Sequence, residues 1–139
     1  MELEMALGMS ESHAIEKGHR GLNEGSQLAS NSDLWNREPP LRQLTGEATI
    51  LTDGYNLVGP RFDTSGFSAL PGGCWDGSGK GDFVGKFHYC HFWSSTESSE
   101  EFLPKAHFLM SRRLKSLSQG VVRERDYCVH GFSVRLVKD

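Results

Sequence analysis

Phe87-His88-Tyr89-Cys90-His91-Phe92-Trp93-Ser94-Ser95-Thr96-Glu97 is the stretch that decides how this chain is built. Phe87, Tyr89, His91 and Trp93 alternate with His88, Cys90 and Phe92. That period of two belongs to a strand, because successive side chains of extended backbone point to opposite faces. The same period recurs downstream. Ala106, Phe108 and Met110 alternate with His107, Leu109 and Ser111, and Val121, Arg123 and Arg125 alternate with Val122, Glu124 and Asp126. The final run sets Phe132, Val134 and Leu136 against Ser133, Arg135 and Val137, and it predicts a central, half-buried last strand.

Upstream the pattern is helical. Leu3, Leu7 and the pair Met5 and Met9 recur at helical spacing, and Ser10 followed by Glu11 reads as the N-cap of a second short helix running to Gly18. Lys17 and Gly18 suit the charge and left-handed preferences of a helix end. Residues 30–64 are rich in Asn, Ser, Asp, Gly and Pro, with Glu38-Pro39-Pro40 and the segment from Asn56 to Pro60 marking a long irregular loop. Such loops are uncommon in compact domains unless they serve a purpose. The expected class is α+β: two short N-terminal helices, a long irregular loop, and a twisted antiparallel sheet in the C-terminal half.

The 139 residues suit one domain, which buries roughly two-thirds of its unfolded surface. Sixteen glycines against five prolines point to many turns. The net charge of −3 gives no general attraction to phosphate backbones, so no nucleic-acid partner is expected. No run approaches the roughly 20 apolar residues of a membrane-spanning helix, so no membrane span is expected either. Met1-Glu2-Leu3-Glu4 lacks the basic and apolar regions of a secretion signal. Cys74, Cys90 and Cys128 are an odd set with no Cys-x-x-Cys motif; buried thiols without chemistry, one disulfide, and metal ligation are the alternatives.

Gly66-Phe67-Ser68-Ala69-Leu70-Pro71-Gly72-Gly73, Phe92-Trp93-Ser94-Ser95-Thr96-Glu97 and Gly131-Phe132-Ser133-Val134-Arg135-Leu136-Val137-Lys138-Asp139 follow one another in an informative order and spacing. They resemble the Fibrobacter succinogenes major paralogous domain, a bacterial family placed among the C-type-lectin-like folds and related to the formylglycine-generating sulfatase-modifying domains. Upstream, Glu4-Met5-Ala6-Leu7-Gly8-Met9-Ser10, Gly18-His19-Arg20-Gly21 and Asn23-Glu24-Gly25-Ser26-Gln27-Leu28 are similar to the family's N-terminal half. The resemblance implies a single C-type-lectin-like domain over residues 1–139, exported or displayed at the cell surface. It also implies a Trp-Arg-Leu-Pro-type strand before the first helix, which is absent here. The chain is therefore expected to be an N-terminally shortened copy. Because the last strand of that fold pairs with the first, an exposed edge and reduced stability are expected as well.

Gly66, Gly72 and Gly73 suit positive φ or close backbone approach, with Pro71 fixing the turn. Neither the phosphate-loop pattern nor its strand-to-helix setting is present. Trp93-Ser94-Ser95-Thr96-Glu97 lacks a Gly-x-Ser-x-Gly elbow, and it reads as a buried Trp followed by hydroxyls and a carboxylate that tie down a loop. Between the family blocks fall Cys74, Trp75, Lys86, His88, His91, His107, Arg112, Arg123 and Arg125, where the resemblance implies a changing set of polar and aromatic side chains. A steady scaffold displaying changeable Trp, His and Arg positions is the logic of a recognition surface. Trp75, His88, His91, His107, Arg123 and Arg125 are the candidate ligand-binding residues.

In His88-Tyr89-Cys90-His91, alternation sends His88 and Cys90 to one face and His91 to the other, so no metal site is expected. The calcium signatures of C-type lectins are missing, and Glu38-Pro39-Pro40 lacks the needed carboxamide, so neither calcium nor any other cofactor is expected. Arg112, Arg113, Lys115, Arg123 and Arg125 can form a positive patch suited to a sulfated or uronic-acid glycan, partly neutralised by Glu100, Glu101, Glu124 and Asp126. Formylglycine-generating relatives use a cysteine pair, but the three cysteines here do not stand in that motif, and no catalytic triad or cofactor fingerprint is present. The expected function is non-enzymatic recognition of a glycan or a surface protein; the alternative is a structural or assembly subunit of a bacterial surface structure. Alanine at the candidate residues should weaken binding without unfolding. Truncation of Trp93, Phe67, Phe132 or Val134 should cost about 2 to 5 kcal/mol in denaturant titration.

Overall fold

The computed structural model describes residues 1–30, 33–36, 63–79, 81–97, 108–116 and 118–135. In chain order these form α1 (Glu2–Ala6), α2 (Glu11–Ile15), β1 (Gly18–Arg20), α3 (Glu24–Leu28) and a 3-10 turn at Asp33–Asn36. Then follow β2 (Cys74–Asp76), β3 (Asp82–Val84), β4 (Tyr89–Glu97), β5 (Phe108–Lys115) and β6 (Val121–Tyr127). The architecture is α+β. β1, β6, β5 and β4 make an antiparallel sheet in that spatial order, and β2 with β3 forms a separate hairpin.

Ser10 caps α2 as its sequence predicts, with extended backbone and a hydroxyl that accepts from the His13 amide at 3.4 Å. The helix stops at Ile15 rather than Gly18, which instead opens β1 at a φ of 88°. Helix α3 is not signalled by periodicity, and Gly25 and Ser26 give it weak intrinsic propensity. All five of its residues are buried, and the Ser26 amide donates to the Gln119 carbonyl at 3.1 Å, so tertiary packing sustains it.

The sheet has two unlike faces. On one, Cys90 and Leu114 stand opposite each other, and Val121 joins them in a buried cluster with Leu28, Ala29, Trp35 and Ala69. Leu7, Phe67 and Phe92 pack against that cluster, with Phe67 edge-on to Phe92 at 5.2 Å. Burial pushes the Cys90 thiol up to about 12, which leaves it an inert core group. The opposite face carries Tyr89, His91, Trp93, Ser111, Arg113, Glu124 and Asp126, the polar set that strand alternation separates from the core.

The end of the described chain departs from expectation. Residues 131–135 form no strand: Gly131 bridges Trp75 of β2, and Ser133 bridges Phe92 along the outer edge of β4. The segment stitches the hairpin to the sheet edge instead of filling the sheet centre. Val134 is consequently 69% exposed, and Trp93 and Phe132 are half-buried and stacked on each other on the polar face, so none of the three is a core position. Alternation reports that side chains take turns, not that either side is covered. Ala106, His107, the residues from 37 to 62 and those from 136 to 139 lie outside the described residues.

Glu4 fixes the helical layer to the sheet. Its carboxylate is buried, and Oε1 accepts from Arg20 of β1 at 2.5 Å and from Arg112 of β5. Arg20 also donates to the Ala14 carbonyl of α2. Burial opposes ionisation of Glu4, but the charge and hydrogen bond of Arg112 outweigh it and hold the carboxyl below its usual range. A folded-state value below the unfolded one stabilises the protein above the ordinary carboxyl range, and that stabilisation is lost as pH falls through the folded value. Glu4→Gln should therefore cost about 3 to 5 kcal/mol at neutral pH in urea titration, since it leaves the buried Arg20 and the half-buried Arg112 guanidiniums uncompensated. It should also flatten the loss of stability below about pH 4. An unchanged urea midpoint would remove Glu4 as the anchor.

Candidate functional site

Tyr89, His91 and Trp93 recur at every second residue of β4 and so stand in a row on the polar face of the sheet. Phe132 lies against that row, stacked on Trp93 at 4.3 Å and tilted on His91 at 4.4 Å, while Tyr89 meets His91 edge-on at 5.2 Å. His130 stacks parallel to Phe132 at 5.7 Å. The result is a continuous aromatic wall.

The β2–β3 hairpin forms the facing wall. Its register pairs Cys74 with Val84 and Trp75 with Phe83, so Cys74, Asp76 and Val84 share one face, and Trp75 and Phe83 the other. The hairpin lies close to β4 because the Gly73 amide donates to the Tyr89 carbonyl at 2.8 Å and Gly85 has no side chain. A Cβ at Gly85 would stand 1.8 Å from the Tyr89 ring, and its φ of 72° already favours glycine. Gly66 and Gly73 also take positive φ; Gly72 does not, and it has open space around it, so its expected special role is absent.

Between the walls is an open cleft of about 220 Å³, lined by Cys74, Asp76, Ser78, Val84, Tyr89, His91, Arg113, Asp126, His130 and Phe132. Arg113 pairs with Glu124 at 2.5 Å, and Asp126 accepts from the Ser111 hydroxyl at 2.5 Å. Asp76 accepts from the Ser78 hydroxyl at 2.6 Å and the Ser78 amide at 2.9 Å, bonds that hold its carboxyl below the usual range. His130 Nδ1 accepts from the Gly77 amide at 3.3 Å and lies 3.4 Å from Asp76.

His91 is 5% exposed, and its Nδ1 has no partner among the described residues. Burial, reinforced by the Arg113 charge opposite it, pushes its pKa down to about 4, so the ring is neutral at physiological pH. Burial and the charges of Asp76 and Asp126 raise the Cys74 thiol despite a hydrogen bond with Tyr89, and the Tyr89 phenol is raised too, again chiefly by burial. Neither group is a ready nucleophile. Among the described residues no group of three His, Cys, Asp or Glu side chains is gathered to hold a metal ion, and all three thiols are free.

The structure divides the six residues that sequence alone nominates. His91 lines the cleft. Trp75 stands on the outer face of the hairpin, edge-on to Phe83 at 5.0 Å, and His88 sits in the turn before β4 rather than on the strand. Arg123 and Arg125 fall on the sheet face opposite the cleft: Arg123 donates to the Ile15 carbonyl at 2.8 Å, and Arg125 lies 4.3 Å above the Phe108 ring. His107 lies outside the described residues. Sequence reasoning did not nominate Asp76, Tyr89, Asp126, His130 or Phe132 as ligand residues, and it placed Arg113 only in the basic patch. Tyr89 was reachable from its alternation with His91; the others needed the strand register.

The model of the Fibrobacter succinogenes major domain family matches residues 1–138. The chain belongs to that family. No curated protein and no solved structure matches it. In this member of the Fibrobacter succinogenes major domain family, the blocks that carry the resemblance supply the frame, including Ala69 and Phe92 of the core. Every cleft-lining residue except Phe132 falls between those blocks. Gly85→Ala should destabilise the domain by more than about 1 kcal/mol and move the Tyr89 ring, whereas Gly79→Ala, with open space around it, should stay within about 0.5 kcal/mol. Thermal unfolding and near-ultraviolet circular dichroism of the pair would check both; matching curves would show that the hairpin does not need its close approach.

Proposed function

We propose that this domain is a non-enzymatic recognition module of C-type-lectin-like architecture, displayed outside the cell, with carbohydrate as its ligand and the cleft on the polar sheet face as its site. The observation that carries this reading is the cleft itself. Aromatic rings and hydrogen-bonding groups of both signs converge there, on residues that lie almost wholly between the blocks of the family frame. A sugar ring is amphipathic in the matching way, with apolar C–H faces and a rim of hydroxyls. At about 220 Å³ the cleft is smaller than the roughly 300–1,000 Å³ of ordinary ligand pockets, so a single ring fits better than a chain.

Two observations support a binding role over thiol chemistry. Cys74 is the one cysteine lining the cleft, and its thiol is raised rather than lowered. Cys90 is on the core side of the sheet, so no pair converges at the cleft. A glycan array probed with the purified domain, in calcium and in EDTA, tests the reading. Binding to a related set of glycans, equal in both buffers and lost in a Phe132→Ala, Tyr89→Ala double variant that stays folded, is the expected result. An array with no bound glycan overturns it in favour of a protein partner; binding abolished by EDTA overturns its metal-free form.

A further inference from the structure

We infer that the cleft selects an amine-bearing sugar ring over neutral and acidic ones, with Asp76 and Asp126 receiving the ammonium and hydroxyl hydrogens and the Tyr89 and Phe132 rings facing the sugar. The inference rests on the recognition reading above and adds the charge class of the ligand.

The charge balance of the walls carries it. Asp76 and Asp126 both line the cleft, and both act electrostatically on the Cys74 thiol, so the two carboxylates converge on one region. Among the described lining residues the one guanidinium, Arg113, is already engaged by Glu124 at 2.5 Å. Of the basic residues that suggested an acidic glycan, Arg113 and Lys115 stand on this face, with Lys115 opposite Tyr89 and outside the cleft lining. Arg123 is spent on the Ile15 carbonyl and Arg125 lies over Phe108, both across the sheet. Among the described lining residues an anionic sugar would meet two carboxylates and no unengaged arginine, whereas an ammonium finds opposite charge beside aromatic rings, the combination that favours cations.

A second, independent feature marks the same cavity as a ligand site. His91 is almost wholly buried, lines the cleft, and leaves Nδ1 without a partner among the described residues. A buried polar atom without a partner is costly unless a ligand completes it. A neutral imidazole presents there either a lone pair or an N–H, according to its tautomer, and a sugar hydroxyl answers both because it donates and accepts.

The experiment is calorimetric titration of the whole chain at about pH 7 with four related monosaccharides: glucosamine, N-acetylglucosamine, glucose and glucuronate. Amines are largely protonated at that pH. Glucosamine should bind about ten-fold or more tightly than glucuronate, with glucose and N-acetylglucosamine between them, and added salt should compress the series. Asp126→Asn should bring glucosamine down to the level of glucose. Asp76→Asn should do the same, and it serves if the first variant fails to fold. Equal binding of all four sugars, or glucuronate as the tightest, overturns the amine preference while leaving the recognition reading in place. Binding by none of the four overturns both.

Discussion

A buried carboxylate shared by two arginines holds this fold in one piece. Glu4, on the first helix, accepts from Arg20 of β1 and Arg112 of β5, residues far apart in the chain that sit close together on one face of the sheet. The helices are each five residues long, too short to persist by propensity. They need the sheet, and the sheet needs them to cover Cys90, Leu114 and Val121. A charge so placed is tolerated only with its partners present, which makes the arrangement a constraint on register as well as an attraction. Moving β5 by one residue would turn Arg112 to the other face and leave Glu4 with Arg20 alone.

The same parity builds the candidate site. With Arg112 committed inward, Arg113 must face outward, directly opposite His91 and within reach of Glu124. Asp126 comes to that face for the same reason, while Arg123 and Arg125 are carried to the other. Adjacent arginines thus take unrelated roles: Arg112 and Arg123 tie the helical layer to the sheet, and Arg113 stands in the cleft. Charge counted along the sequence gave a basic patch; charge counted by face gives an acid-rich cleft.

The family frame and the cleft divide the chain between them. Ala69 bridges Ala29, and Phe92 lies in the sheet where Ser133 bridges it, so blocks distant in sequence meet around the core. The intervening residues close the cleft, with Cys74, Asp76 and Val84 on the hairpin and His130 beside Phe132. Phe132 belongs to both sets. Its ring stacks on Trp93 and His91 and also lines the cavity, so the frame supplies one aromatic surface to the cleft.

Much of the secondary structure was legible in the residues. Period-two runs located β4, β5 and β6, and Ser10 marked the start of α2, because alternation and capping are local and need no knowledge of neighbours. Blocks such as Gly66 to Gly73 and Phe92 to Glu97 pointed to the family. Local pattern is silent about which side of a segment is covered, and so it promised a central last strand where Val134 is exposed at an edge. It also missed α3, whose five buried residues owe their helix to the Gln119 turn packed against them. The sequence by itself determined the three long strands β4, β5 and β6, the capped helix and the family. Only the tertiary structure decided which of the histidines and arginines share a surface, because that depends on inter-strand register and on the hairpin folding over one face, and neither leaves a mark in the order of residues along the chain.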